Sequence, residues 1–152
     1  MNRKTVPRLQ IVGLIVFSVL LTACPQDNPN DPLRKYAKAA DNMAGAINSM
    51  IKAKRNLAES GRITPAEDLK LTRSLLVVNE GVTVFHKRVK ALTTTPDAAT
   101  KAELMTMLNS VTTSVDELNN EGVLGVSNPE SKEKLARFIA TMKAAIAVFS
   151  SI

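Results

Sequence analysis

The sequence predicts an all-α protein, an antiparallel up-down-up-down four-helix bundle that follows an N-terminal signal peptide and a short Pro-rich tether. Three observations carry the prediction. Helix-start signals recur at nearly even spacing, apolar residues after each start advance in steps of three and four, and strand formers are scarce. Aromatic residues are 3% of the chain and Trp is absent. Ala, Leu, Met and Lys, all good helix formers, are common.

The starts are Asp31-Pro32, Thr64-Pro65, Thr95-Pro96 and Asn128-Pro129, spaced 33, 31 and 33 residues apart. Each joins a side chain able to accept from the first free N–H groups to a proline at the first helical position. Proline loses nothing there, because its missing N–H would have no partner within the helix. Thr64 and Glu67 also have the spacing of a capping box. The four segments share no side-chain repeat, so a solenoid is not predicted.

The first helix carries Leu33, Tyr36, Ala40, Met43, Ile47, Met50 and Leu57 on one stripe, with Lys54 interrupting it. The second carries Leu75, Val78, Val82, Phe85, Val89 and Leu92. The third has Met105, Leu108, Val111, Val115 and Leu118, and the fourth Leu135, Phe138, Met142, Ile146 and Phe149. One stripe per helix, near the 3.5-residue period, is the pattern of a left-handed bundle. Ser60-Gly61 is expected to end the first helix and Asn119 to Gly122 the third, since these residues tolerate left-handed backbone. Two links are short, which makes neighbouring helices antiparallel. The third link, Gly122 to Ser127, is longer and apolar, and either closes the core or forms an exposed patch. Small residues in the first helix (Ala37, Ala40, Ala44, Gly45) and fourth (Ala140, Ala144, Ala145) predict that these two pack closely.

Ahead of the bundle, Arg3, Lys4 and Arg8 form a basic head, and Ile11 to Leu21 is almost unbroken apolar sequence. Basic, apolar and then small residues is the order of a secretory signal peptide. The apolar run is about half the roughly 20 residues needed to span a bilayer. Leu21-Thr22-Ala23-Cys24 resembles the lipobox of bacterial lipoproteins. That resemblance implies a diacylglyceryl group on the Cys24 sulfur and cleavage just before it. An uncleaved anchor, or an ordinary signal with a coincidental cysteine, are the alternatives. The implied organisation is residues 1–23 as signal, 24–31 as lipidated cysteine and tether, and 32–152 as the bundle. The resemblance also implies acyl chains as the link to the membrane, and two or more such chains hold a protein there durably. The location implied is the outer membrane facing the periplasm in a Gram-negative cell, or the outer face of the cell membrane in a Gram-positive one. Pro25 stands where Asp would favour inner-membrane retention in that family, so inner against outer membrane stays open.

Cys24 is the single cysteine, so no internal disulfide forms. Removing Arg3, Lys4 and Arg8 leaves seventeen basic against fourteen acidic residues, a net charge of +3. That is too mild to point to nucleic acid. In the predicted topology the excess gathers at the tether end, where Lys87, Arg88 and Lys90 close the second helix. The sharper reading is a basic collar on anionic headgroups, with these three as contacts. The plainer one is ordinary surface lysine.

Catalytic residues are not found. The single histidine, His86, sits in His-Lys-Arg near a helix C-terminus, where the dipole favours a cation and solvent exposure accounts for it. No HxxxH, ExxH or CxxC spacing is present for a metal, and no Gly-rich phosphate loop. The acidic pairs Glu67-Asp68 and Asp116-Glu117 point in different directions on a helix and read as surface charge. Met43, Met50 and Met142 lie on apolar stripes and read as core filling, although periplasmic b-type cytochromes, also four-helix bundles, bind haem through Met and His. No cofactor is therefore assigned. The sequence points to a non-enzymatic, lipid-anchored envelope protein, a structural or protein-interaction module with an envelope protein as partner. The alternative is a carrier or sensor for an apolar or haem-like ligand, which predicts a pocket near Tyr36, Phe85 and Phe149.

Overall fold

A computed structural model describes residues 31–152, so the signal-like stretch, Cys24 and all of the tether but Asp31 lie outside the described residues. Four helices pack together: α1 (Pro32–Glu59), α2 (Pro65–Lys90), α3 (Ala98–Glu117) and α4 (Pro129–Ser150). No strand occurs among the described residues. None of these helices is long and apolar enough to cross a membrane.

Three of the four starts lie where the cap-and-proline pairs place them. The Asp31 carboxylate accepts from the Leu33 N–H at 3.0 Å, and Asn128 Oδ1 accepts from the Ser131 N–H at 2.9 Å. At α2, Thr64 Oγ1 accepts from the Glu67 N–H, and Glu67 Oε2 accepts from the Thr64 N–H at 2.6 Å, a complete capping box. The third start differs. Asp97, not Thr95, is the cap, accepting from the Thr100 N–H at 2.8 Å, and Pro96 is buried ahead of it. A carboxylate at a helix N-terminus has the dipole in its favour as well as the hydrogen bond, and Asp97 outcompetes the Thr-Pro pair beside it.

α1 ends as expected. Ser60 caps it and Gly61 takes φ +67°, which lets the Arg62 N–H reach back to the Leu57 carbonyl at 2.9 Å. The expected end of the third helix is corrected: Asn119 to Gly122 do not break it, and no residue there has positive φ. The chain widens into a π-helical segment, Leu118–Val123, whose last turn donates from the Leu124 N–H to the Asn119 carbonyl. Gly122 is needed there for approach, not for turning. A Cβ on it would stand 3.1 Å from Leu71 Cδ2 and 3.2 Å from Leu118 Cδ1. The third link is thereby shortened to residues 124–128, and the longest connection is 91–97 between α2 and α3. Val123 and Val126 are fully buried while Leu124 is exposed, so this link closes the core.

α1 packs against both α2 and α4, and its pairing with α4 is the broadest in the molecule. α3 packs against α2 and more thinly against α4, while the diagonal pairs make no close backbone approach. Small residues do line the broad pairing's helices, but not all the expected ones. Ala39, Ala40, Ala46 and Ala53 of α1 and Ala145 of α4 are buried, whereas Gly45, Ala140 and Ala144 are exposed. On α3 and α4 the stripes pass through Leu104 and Ile139, with Met105 and Phe138 only half-buried beside them. Steps of three and four admit either of two adjacent apolar residues, and packing chooses between them. Lys54, the interruption in the α1 stripe, donates to Asp68 at 2.6 Å and to the Thr72 hydroxyl at 2.8 Å on α2.

Glu67 does a second task beyond its own helix. Its Oε1 accepts from the Ser127 N–H at 2.7 Å, joining the start of α2 to the link that precedes α4. These backbone N–H donors hold its carboxyl down from the ordinary 4.5 to about 2. A depressed carboxyl pKa means stability that is fully present above pH 4.5 and lost as pH falls towards 2. Glu67→Ala is expected to cost about 1–2 kcal/mol at pH 7. In urea unfolding the gap between wild type and variant should narrow steadily below pH 4.5. A gap that stays constant to pH 2.5 would show that the charge on Glu67 is not what holds the two elements.

Candidate functional site

The residues singled out by sequence fall in three places. Leu21, Thr22, Ala23 and Cys24 lie outside the described residues. Lys87, Arg88 and Lys90 occupy the last turn of α2, where a carboxylate meets two of them. Arg88 grips Glu103 of α3 through Nε at 2.9 Å and a terminal nitrogen at 2.6 Å. Lys90 donates to Asp41 of α1 at 3.0 Å, and Lys87 is exposed and outside every ion pair within the described residues. The bidentate contact lowers the Glu103 pKa and raises that of Arg88.

His86 is less free than its position in the sequence implies. Its Nε2 lies 2.7 Å from Asp41 Oδ1, while the other Asp41 oxygen takes Lys90. The hydrogen bond from His86 is the main cause that lowers the Asp41 pKa, with Lys90 adding to it. This is a tie between α1 and α2. The acidic pairs are also engaged. Glu67 caps α2, Asp68 holds Lys54, and Asp116 meets Lys143 of α4 at 2.6 Å. Among the described residues no three His, Cys, Asp or Glu side chains converge as metal ligands would.

The expected pocket near Tyr36, Phe85 and Phe149 is mostly filled by those rings. Tyr36 and Phe149 meet tilted, with centroids 4.6 Å apart and planes at 50°, and Phe85 meets Phe149 edge-on at 4.8 Å. Phe85 is wholly buried. An open cleft of about 240 Å³ remains outside the trio, between Tyr36, Leu104, Met105, Phe149 and Ile152 with Lys101 at its edge. Met43, Met50 and Met142 are buried in the core.

A feature the sequence reading did not single out is the outer face of α2. Leu69, Leu76, Val77 and Val84 are 50, 62, 53 and 51% exposed. At about 100° per residue these four fall within an arc of about 100°. The buried residues Leu71, Leu75, Val78, Val82, Phe85 and Val89 fall on the opposite side of the helix. α2 is therefore apolar on two faces, and among the described residues only one of them has a partner. Arg73 and Glu80 lie on the same outer stripe, and neither enters an ion pair within the described residues. The signal was present in the sequence as apolar residues seven apart, at 69 and 76 and again at 77 and 84. A grooved flank runs along each side of this ridge. Ile51, Lys54 and Thr72 line the one towards α1, and Ser74, Ser114 and Glu117 the one towards α3.

Comparison with known proteins gives no match among family descriptions, curated proteins or solved structures.

Adjacent residues of α2 test its orientation. Phe85→Ala should cost about 3–5 kcal/mol by deletion from a closed core. Val84→Ala, one position along on the outer face, should change stability by no more than about 0.5 kcal/mol. Chemical denaturation measures both, and equal losses would contradict the two-faced helix.

Proposed function

We propose that this chain is a lipid-anchored protein of the bacterial cell envelope that performs no catalysis and works as a protein-interaction module, through the outer face of α2. The observation that carries the interaction reading is the exposed apolar ridge of Leu69, Leu76, Val77 and Val84, set opposite the core-facing stripe of the same helix. Contiguous apolar surface of this kind is usual where a partner docks. The anchoring rests on Leu21-Thr22-Ala23-Cys24 behind a basic and apolar leader. In this reading the acyl chains on Cys24 hold the domain at the membrane, at the periplasmic face of the outer membrane or on the outer face of a Gram-positive cell membrane.

The bundle itself is proposed to run up-down-up-down. Support comes from ion pairs that join late residues of one helix to earlier residues of a neighbouring helix: Lys54 to Asp68, Lys90 to Asp41, and Arg88 to Glu103. Arg62, just after α1, likewise meets Glu130 at the start of α4. Lys87, Arg88 and Lys90 are proposed to face the headgroups, with Lys87 the freest to do so and the other two already sharing their charge with Asp41 and Glu103.

Anchoring is tested by intact-mass measurement of the chain purified from membranes, beside a Cys24→Ala variant. The expected product lacks residues 1–23 and carries acyl mass on Cys24, while the variant carries none and leaves the membrane fraction. An unmodified Cys24 in the wild-type chain would remove the anchor from the proposal.

The carrier reading keeps one observation in its favour, the cleft beside Tyr36 and Phe149 with a lysine at its edge. Native mass spectrometry of the gently purified chain decides it. An added mass that is lost on denaturation and reduced by Leu104→Trp supports a bound apolar ligand, and a chain without added mass counts against one.

A further inference from the structure

Between Leu69 and Val84 the outer face of α2 has the same character read in either direction from the midpoint between Leu76 and Val77. Leu69 and Val84 lie equally far from that point, and so do Arg73 and Glu80. Each pair equidistant from the centre therefore matches a leucine to a valine or a cation to an anion. All six side chains belong to one stripe, and the two charges have no ion-pair partner within the described residues.

We propose that two copies of this chain pair through this face, α2 against α2 in opposite directions, about a two-fold axis that passes between Leu76 and Val77. The inference rests on the reading of this face as an interaction surface, and it names the partner. In such an isologous contact every interaction occurs twice. Leu69 packs on the partner's Val84, Leu76 packs on the partner's Val77, and Arg73 meets the partner's Glu80. Both apolar layers are leucine on valine, so large and small side chains interdigitate. The seven-residue steps from Leu69 to Leu76 and from Val77 to Val84 keep the ridge straight along a shallow crossing of about 20°.

The charges select this arrangement over the alternatives. Parallel pairing of two α2 helices in register sets Arg73 on Arg73 and Glu80 on Glu80, which repels. Antiparallel pairing converts the same four charges into two attractive pairs flanking an apolar centre. A different protein as partner requires no symmetry in this face, whereas a second copy requires it.

The pairing also fixes how an anchored chain lies. Asp41 near the start of α1 meets His86 and Lys90 at the end of α2, so the tether end of the bundle is the C-terminal end of α2. Opposed α2 helices then put the two tethers at opposite ends of the pair, about 39 Å apart for a 26-residue helix. A tether of residues 24–31 reaches about 26–29 Å fully extended. The pair therefore lies with its helices along the membrane surface, because an upright pair leaves one tether out of reach.

Single cysteines introduced into the full-length chain, treated in intact membranes with a short bismaleimide, test the pairing. The chain without an introduced cysteine controls for Cys24. Val77→Cys, beside the axis, is expected to give a cross-linked dimer at several times the yield of Lys134→Cys on α4. Leu69→Cys should not link to itself, because the two positions are about 22 Å apart along the helices, yet it should link to a co-expressed Val84→Cys chain. Adding Arg73→Glu to Val77→Cys should lower the yield several-fold, and adding Glu80→Arg to that chain should restore it. The pairing is overturned if Val77→Cys gives no more dimer than Lys134→Cys. It is equally overturned if Leu69→Cys links to itself as well as to Val84→Cys, or if the double charge swap fails to restore the yield. An adduct of Val77→Cys with a different protein overturns the second copy as occupant and leaves the interaction surface standing. No adduct of any kind at positions 69, 77 and 84 overturns both.

Discussion

The broad contact between α1 and α4 is the constraint on which the rest of the bundle depends. With one Tyr, four Phe and no Trp in the whole chain, large rings cannot fill the space between widely separated helices. The helices must approach closely, and α1 permits this by burying Ala39, Ala40, Ala46 and Ala53 among its larger residues. Alanine adds little volume and loses no rotamer freedom on burial. Three of the rings, Tyr36, Phe85 and Phe149, meet in one cluster. Ahead of α4 the core is closed by two aliphatic residues, Val123 at the end of the π-helical segment and Val126 in the link that Glu67 holds through Ser127.

This arrangement leaves α3 with the thinnest support. It packs on α2 and only lightly on α4, and the π-helical segment continues its contact with α2 past its own end. The extra residue in a π turn shifts the following side chains around the helix. Gly122 then lies against Leu71 and Leu118, and Val123 points inward, where a continued α-helical register ending in a glycine cap would have released the chain. α2 consequently has α1 on one flank and α3 on the other, with its outer face uncovered by any element among the described residues.

Much of this was legible in the sequence because the determining interactions are local. Asp31, Thr64 and Asn128 cap helices within three residues of themselves, and Gly61 turns the chain by its own backbone freedom. The core stripes followed from periodicity except for the one-residue ambiguity at Leu104 and Ile139, the unexpected burial of Leu71, and the half-burial of Leu33 and Leu92. What failed was decided by competition or by distant partners. Asp97 wins over Thr95 because a carboxylate caps better than a hydroxyl beside it. Asn119 to Gly122 carry every mark of a helix end, yet contact with Leu71, far away in the chain, keeps them helical. The role of His86 was illegible for the same reason, since Asp41 is 45 residues away. The second stripe of α2 was written plainly in the sequence, but a search for one core face per helix passes over it.

Polar side chains of the described residues lie almost entirely at the surface. Among the described residues the single buried polar side chain is Ser131, and its hydroxyl is directed at the Arg62 carbonyl at 3.4 Å. No buried side-chain nitrogen or oxygen lacks a partner in that region, so the interior holds no polar group waiting for a ligand. The ion pairs of Arg88 with Glu103 and of Lys90 with Asp41 are mostly exposed, and solvent screens pairs of that kind. Their effect is to fix which helix ends lie together and to neutralise one another, which dulls the C-terminal end of α2 as a charged docking surface. On the outer face of α2 the situation is reversed. There, among the described residues, the apolar side chains have no cover and Arg73 and Glu80 have no ion-pair partner. Burying an apolar surface with free charges of both signs on it is favourable only against a face that answers both, and the α2 face of another copy does.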